Sequence, residues 1–438
     1  MAGRAAFHNL GCKVNSYELD LMRQILVQEG YEEVPFSEEA DVYVVNTCSV
    51  TNIADRKSRQ MLHRAKKRNP EAVVIAVGCY VETDRAGVEK DPAVDLAIGS
   101  RGKEDIARRL AAFLKARDGE EWRDDSADAP ADSDCGGSVF LRSPGHTRAF
   151  VKIQDGCNQF CTYCIIPYAR GRIRSRDEAE ICEEIRQLTE ESGVREVVLN
   201  GIHLSSFGQS GNVPFDPEKG GRSLLSLLRK LQEIPGLQRI RLGSLEPRIM
   251  TEEFVSGIAG LSKVCPHFHL SLQSGCDATL KRMNRHYTTE EYRTCVERLR
   301  RAYDRPAVTT DVIVGFPGET EEEFAQTVRF LQEIELYEIH VFKYSVRKGT
   351  VAAKLPDQVP ETVKNERSAV LLAMTEEQAR RYRASFSGEK VQVLLEEKIP
   401  KGGRLCWRGH TERYVECLVP VQETGEAGQG DLVTAVYP

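Results

Sequence analysis

Eight residues, Cys157-Asn158-Gln159-Phe160-Cys161-Thr162-Tyr163-Cys164, hold three cysteines. Zinc sites usually draw a second pair of ligands beside a C-x-x-C pair. The chain has no second C-x-x-C and no H-x-x-x-H. Three thiolates on one loop instead suit a 4Fe–4S cluster with one iron free of protein ligands. Such an iron can chelate a small molecule as well as pass an electron. Gly156 and Asn158 mark the stretch as a loop. A second set is dispersed: Cys12, Cys48 and Cys79 are spaced 36 and 31 residues apart. Each lies just past a predicted strand, ending at Phe7, Val45 and Val77. Isolated cysteines are often small buried hydrophobes, so this set acts together only if the fold gathers the strand ends. Gly11 and Gly78 precede two of its members, as expected where backbone approaches a bulky ligand closely. The other cysteines, at 135, 182, 265, 276, 295, 406 and 417, have no ligand spacing.

The elements around these residues follow an alternating pattern. Before residue 118, apolar runs at Ala5–Phe7, Val42–Val45 and Ala72–Val77 alternate with helical patterns at Tyr17–Glu29 and Ile53–Arg68. Strand–helix–strand repetition predicts a doubly wound parallel sheet. In such a sheet the carboxyl ends of the strands face one crevice. After residue 137, candidate strands recur at Phe150–Ile153, Glu196–Asn200, Arg239–Gly243, Phe268–Leu272, Val308–Val314 and Ile339–Tyr344. Helical patterns fill the gaps at Glu178–Glu190, Leu224–Ile234, Thr289–Ala302 and Glu321–Glu335, the last opened by a Thr320/Glu323 capping box. Six βα units predict a barrel or partial barrel with its chemistry at the strands' carboxyl ends. A long helix, Pro360–Arg383, leads to alternating runs at Gly388–Leu395, Glu412–Val419 and Leu432–Val436, which predict a small β-barrel.

Composition sets the outer limits. At 41% hydrophobic and 29% charged, the chain fits an ordinary globular protein. No apolar run reaches the ~18 residues of a spanning helix, and Met1–Phe7 lacks the apolar core of a secretory signal. A cytoplasmic location is expected, where thiols stay reduced. The net charge of −6 argues against a nucleic-acid partner only if evenly spread. It is not: residues 118–137 carry eight acids and one base, which predicts a solvated linker and leaves the rest near neutral. The expected division is therefore 1–117, an acidic linker 118–137, 138–375 and 376–438.

C-x-x-x-C-x-x-C after the first strand of a βα barrel resembles the radical S-adenosylmethionine superfamily. A preceding three-cysteine domain and a following small barrel narrow the resemblance to the methylthiotransferases. The resemblance spans nearly the whole chain apart from the acidic linker. It implies an N-terminal α/β domain, a radical-SAM partial (βα)6 barrel and a TRAM-like RNA-binding barrel. Leu10-Gly11-Cys12-Lys13-Val14-Asn15 resembles the branch acting on threonylcarbamoyladenosine in tRNA. Asn46-Thr47-Cys48-Ser49-Val50-Thr51-Asn52 and Thr162-Tyr163-Cys164-Ile165-Ile166-Pro167-Tyr168-Ala169-Arg170-Gly171 are similar to the same branch. Gly243 stands where the family more usually has Ser. The same chemistry on isopentenyladenosine, or on an aspartate of a ribosomal protein, is the nearest alternative. A non-catalytic zinc and RNA-binding protein is the alternative from another class.

The resemblance implies two 4Fe–4S clusters and S-adenosylmethionine. Cys157, Cys161 and Cys164 would hold the radical cluster, and Cys12, Cys48 and Cys79 the auxiliary cluster that donates sulfur. A 5′-deoxyadenosyl radical would remove hydrogen from carbon 2 of adenine, a position without acid–base handles, so no catalytic His/Asp pair is needed. Tyr163, Gly201, Ser244, Glu246, Gln273 and Val314 would contact S-adenosylmethionine. Expected partners are tRNA and an electron donor of flavodoxin or ferredoxin type, with no membrane and a monomeric chain. RNA requires positive charge. Arg56, Lys57, Arg59 and Arg64, continuing through Lys66, Lys67 and Arg68, form one candidate patch. Arg170, Arg172, Arg174 and Arg176 form another. Residues 376–438 carry nine Lys/Arg against ten Asp/Glu, so RNA binding there would need a local face, with Tyr414 or Trp407 stacking on a base.

Overall fold

The computed structural model describes residues 3–117 and 147–438. The acidic linker and Cys135 lie outside the described residues. Five parallel strands, β1 (Arg4–Asn9), β2 (Glu32–Val34), β3 (Val42–Thr47), β4 (Val73–Gly78) and β5 (Leu96–Ile98), form the first sheet in the order β2-β1-β3-β4-β5. Every residue of β3 and β4 is buried. Their near-continuous Val/Ile runs suit strands covered on both faces. One cover is helix α1 (Lys13–Gln28), which contributes Leu19, Met22 and Leu26. The other includes helix α2 (Asn52–Arg68), which contributes Leu62 and Ala65. α2 starts where Thr51 Oγ1 accepts the Ala54 N–H at 3.2 Å, and its last turn carries Lys66, Lys67 and Arg68 near the negative end of its dipole. Two short edge strands, β2 and β5, have too few residues to leave a pattern in the sequence.

The second unit has the six expected parallel strands: β6 (Ala149–Asp155), β8 (Glu196–Gly201), β9 (Arg239–Leu242), β10 (His267–His269), β11 (Ala307–Val314) and β12 (Glu338–Lys343). A two-residue strand, β7 (Arg174–Ser175), pairs antiparallel with β6. The hydrogen-bonded order is β7-β6-β8-β9 and β10-β11-β12, and a parallel bridge between Leu245 and Leu270 joins the two runs. β7 and β12 are the edges, so the barrel is partial. Alternate residues face opposite ways. Val151, Val197, Leu199, Ile240, Phe268, Leu270, Val312 and Ile339 face outward into one apolar core with the helices. The alternate positions carry Lys152, Glu196, Arg239, Arg241, His267, His269 and Asp311. A closed barrel fills its interior with branched apolar side chains; this one keeps a polar interior. The expected Thr320/Glu323 capping box is formed, and a second stands at Thr288/Glu291.

The first unit spans the open side of the partial barrel. α1 packs against β6 and β8. Beyond β12, Arg347 donates to Ser49 Oγ (2.8 Å), Asn52 Oδ1 (3.0 Å) and Asp55 (2.5 Å). The helix Glu361–Ala384 then leads into a curled antiparallel sheet of half-barrel form. Its strands are β13 (Lys390–Lys401), β14 (Arg404–Thr411), β15 (Glu416–Pro420) and β16 (Leu432–Val436), ordered β15-β14-β13-β16. The run expected over 412–419 divides there: 412–414 turn, and a strand before them pairs with β13. β14 reads Arg-Leu-Cys-Trp-Arg-Gly-His-Thr, poor in β-branched residues, so its pattern is weak. No helix among the described residues is long and apolar enough to cross a membrane.

Candidate active site

The contiguous cysteines follow β6. Gly156 has φ +72°, and a Cβ there would lie 1.9 Å from the Arg172 carbonyl oxygen, so only glycine lets the two backbones cross. The Cys157 N–H donates to Gly171 O (3.1 Å), and Phe160 takes the left-handed conformation at φ 47°. A second segment clamps the loop. Asn284 Nδ2 donates to the carbonyls of Gln159 (3.3 Å) and Phe160 (3.1 Å), and the Thr162 N–H donates to Met283 O (3.0 Å). Arg285 donates to Cys161 Sγ at 3.4 Å. Burial pushes the Cys157 thiol up to about 12 and the Cys164 thiol further still.

The dispersed cysteines meet at the carboxyl edge of the first sheet. Cys12 precedes α1, Cys48 follows β3, and Cys79 opens the short helix α3 (Cys79–Thr83) after β4. Gly11 has φ +116°, and a Cβ on it would lie 3.2 Å from Cys48 Sγ. Cys12 Sγ lies 3.7 Å from Asn15 Oδ1, which also accepts from Arg170 at 2.6 Å, while Arg170 Nε donates to Cys79 Sγ at 3.2 Å. Burial pushes Cys48 up to about 11 and raises Cys12. Each triplet is therefore three soft donors with a guanidinium at one sulfur, a donor set that fits an anionic iron–sulfur cluster.

Arg170 is fully buried and belongs to both sites. It follows the contiguous loop in sequence, touches Cys79, and pairs with Glu18 of α1 (2.5 and 3.1 Å) and Asp155 of β6 (3.4 Å). Lys103 and Lys152 also pair with Glu18. Burial alone would raise the Glu18 pKa, but Arg170, Lys103 and Lys152 hold it well below the usual carboxylate range.

The remaining cofactor candidates lie around the strand ends. Tyr163 packs edge-on to Phe316, with ring centroids 6.4 Å apart. Gly201 ends β8, where a Cβ would meet Gln154 Oε1 at 2.7 Å; that oxygen accepts the His203 N–H at 2.7 Å. Ser244 is exposed. Glu246 is buried, accepts from Arg248 (2.9 and 2.7 Å), and donates its N–H to Ser205 Oγ at 2.9 Å. Gln273 has φ 70° and donates its N–H to Asp311 O at 2.8 Å. The Val314 side chain sits in the outer core, away from the interior. Asn15, Glu18, Gln154, Asn284 and Arg285 were missed from the sequence; none stands in a spacing that signals ligation.

Residues 151–331 match the Radical SAM superfamily, and residues 4–99 match Uncharacterized protein family UPF0004. The threonylcarbamoyladenosine tRNA methylthiotransferase MtaB of Bacillus subtilis is 38% identical over 450 residues, covering 99% of this chain and 94% of the relative. The chain belongs to the radical S-adenosylmethionine methylthiotransferases. A tRNA-2-methylthio-N(6)-dimethylallyladenosine synthase of Syntrophotalea carbinolica is 37% identical, covering 98% and 94%. In fold, the chain is similar to the radical S-adenosylmethionine methyltransferase TsrM of Kitasatospora setae, at a TM-score of 0.56 and 16% identity, covering 77% of this chain and 73% of that one.

The basic patches divide once placed on this methylthiotransferase. Arg56, Lys57, Arg59, Arg64 and Lys67 are exposed on α2, with Arg59 donating to Tyr80 Oη (3.0 Å). Lys66 and Arg68 are engaged, by Asp95 and by Phe36 O. In the other patch only Arg172 is exposed, lying over the Phe160 ring at 4.6 Å. Arg170 is spent on the buried network, Arg176 on Glu184 (2.6 Å), and Arg174 donates to the carbonyls of Arg170 and Arg172. The expected phosphate role of Arg170 is thus replaced by a bridging one. Trp407 is buried in the core of the terminal sheet, whereas Tyr414 is 36% exposed and stacks on His410 (4.5 Å) beneath Arg241 (4.8 Å).

Proposed function

We propose that this methylthiotransferase converts threonylcarbamoyladenosine in tRNA to its 2-methylthio derivative. The observation that supports the reading is a three-cysteine set on each unit, with Arg170, just past the contiguous set, hydrogen-bonded to Cys79 of the dispersed one. When bound, a cluster on Cys157, Cys161 and Cys164 supplies the electron that cleaves S-adenosylmethionine, and one on Cys12, Cys48 and Cys79 supplies sulfur. The chain's own residues do the positioning. Gly156 and the Asn284 clamp fix the first loop, and Arg285 and Arg170 place positive charge against the sulfurs. Tyr163, Gly201, Ser244, Glu246 and Gln273 lie around the strand ends where S-adenosylmethionine would sit. The α2 cations and Arg172 would meet tRNA phosphates, and a flavodoxin- or ferredoxin-type protein would supply electrons.

Anaerobically purified protein should hold about eight irons per chain, as two 4Fe–4S clusters require, and release 5′-deoxyadenosine under reductant. Mass spectrometry of tRNA from a deletion strain should show methylthio-threonylcarbamoyladenosine replaced by its unthiolated precursor. A zinc-containing protein without iron, or unchanged tRNA where no second enzyme makes the product, would refute the reading.

A further inference from the structure

Three neighbouring strands of the barrel, β10, β11 and β12, carry His269, Asp311 and His340, whose side chains the cysteine sites do not use. β10 pairs with β11 so that His269 stands opposite Thr309, and β11 pairs with β12 so that Asp311 stands opposite His340. Side chains two apart on a strand share a face, so Thr309 and Asp311 point the same way and the two histidines flank them. The face is the inner one, because Ile339, next to His340, lies in the outer core. The three side chains meet there. His269 Nε2 lies 3.2 Å from Asp311 Oδ2, and the His269 and His340 rings stack with centroids 5.6 Å apart. One donor atom from each residue falls within 4.8 Å of the other two. His267, two residues before His269, packs on the Tyr414 ring instead, at 5.4 Å.

The donors suit a metal ion. His269 Nδ1 lies 3.0 Å from Thr309 Oγ1. With the Nδ1 proton donated to that hydroxyl, the Nε2 lone pair faces a carboxylate oxygen, and such a pair of acceptors needs a proton or a metal ion between them. Tetrahedral ligands at ~2.1 Å from an ion stand about 3.4 Å apart. The His269–Asp311 pair already has that spacing. His340 is exposed, so rotation of its side chain closes the remaining span, and its exposure gives an ion a way in. Two imidazoles and one carboxylate favour zinc, iron(II) or cobalt(II) over magnesium and calcium. Three protein donors leave a fourth position open to the polar interior, where water or another oxygen ligand fits.

We propose that His269, Asp311 and His340 bind a divalent transition-metal ion, with Thr309 orienting His269, at a site separate from both cysteine sets. The site goes beyond the function proposed above and does not depend on which nucleoside accepts the methylthio group. Its ligands come from three adjacent strands of one sheet, so the register of β10, β11 and β12 builds it without any loop.

The test dialyses the iron-loaded full chain, its cysteine sets already occupied, against zinc in the presence of excess magnesium. The wild type should retain about one zinc ion per chain without losing iron, and zinc X-ray absorption should show nitrogen and oxygen at about 2.0–2.1 Å and no sulfur at about 2.3 Å. Asp311→Asn and His340→Ala should each lose that zinc at unchanged iron content. Thr309→Val should weaken zinc binding about ten- to a hundredfold, as loss of a group that orients a ligand does. Should Asp311→Asn fail to fold, His340→Ala, at the exposed end of the cluster, decides the matter. Absence of retained zinc, equal retention by wild type and variants, or a sulfur shell around the zinc would each overturn the proposal.

Discussion

Cys157, Cys161 and Cys164 lie within eight residues on one loop, whereas Cys12, Cys48 and Cys79 are delivered by three separate strands. The first set depends on local backbone: a glycine crossing at Gly156, a left-handed Phe160, and a clamp at Asn284. The second depends on register. β1 pairs with β3 through Asn9 and Asn46, and β3 with β4 through Thr47 and Gly78, so the strands stop level with one another. A slip of one residue would turn alternate side chains to the wrong face. One triplet is thus a property of a loop, and the other a property of a folded sheet.

The largest expected effects separate the two chemically. Cys161→Ala should abolish 5′-deoxyadenosine release and remove about half the iron, the share of one of two equal clusters. Cys48→Ala should remove a similar share while release persists without methylthiolation. Iron assay and product analysis on both variants check this. Loss of all iron from Cys48→Ala would show that the sites do not load independently.

Glu18 lies between the triplets, and its substitution asks whether they are coupled. Glu18→Gln leaves Arg170, Lys103 and Lys152 without their shared carboxylate, and breaking a buried pair costs about 3–5 kcal/mol. The same residue sets an acid dependence. Its folded pKa is depressed, so its contribution is full above the unfolded carboxylate pKa and fades as pH falls below it. Denaturant midpoints in the wild type should therefore drop on acidification below about pH 4.5, and Glu18→Gln should flatten that part of the drop. An unaltered acid limb would assign it to other carboxylates.

This contrast also explains what the sequence made legible. The contiguous triplet is a string of letters, and the six barrel strands follow the outward apolar positions that helices cover. The dispersed triplet was visible only as three cysteines past three predicted strands, because its meeting point is made by register. Arg170 looked like one of four surface cations after a cysteine loop. Its partners, Glu18, Asp155 and Cys79, are 152, 15 and 91 residues away, and no local pattern announces contacts of that range. β14 was missed for another reason: its Cys406 and Trp407 are buried, but its other residues carry little strand preference.

A cavity in the first sheet should strike one triplet harder than the other. Ile75 is fully buried in β4, and Ile75→Ala costs about 2–5 kcal/mol. Iron held by the dispersed set should then be lost at lower denaturant than iron held by the loop set, giving two release steps. A single step at the wild-type position would place both clusters under one cooperative unit.

The smallest effects on stability should come from the surface of α2. Lys57 and Arg64 are exposed and have no carboxylate partner among the described residues, so alanine there should change stability by less than about 0.5 kcal/mol. Binding is another matter, because each phosphate contact releases counterions. If the helix beside Cys48 carries tRNA, each substitution should reduce the slope of log affinity against log salt by about 0.7–0.9, with no change in preference among N6 substituents. Salt slopes unchanged from the wild type in both variants would move the tRNA path away from α2, and with it the reason for placing that helix next to a sheet-built cysteine set.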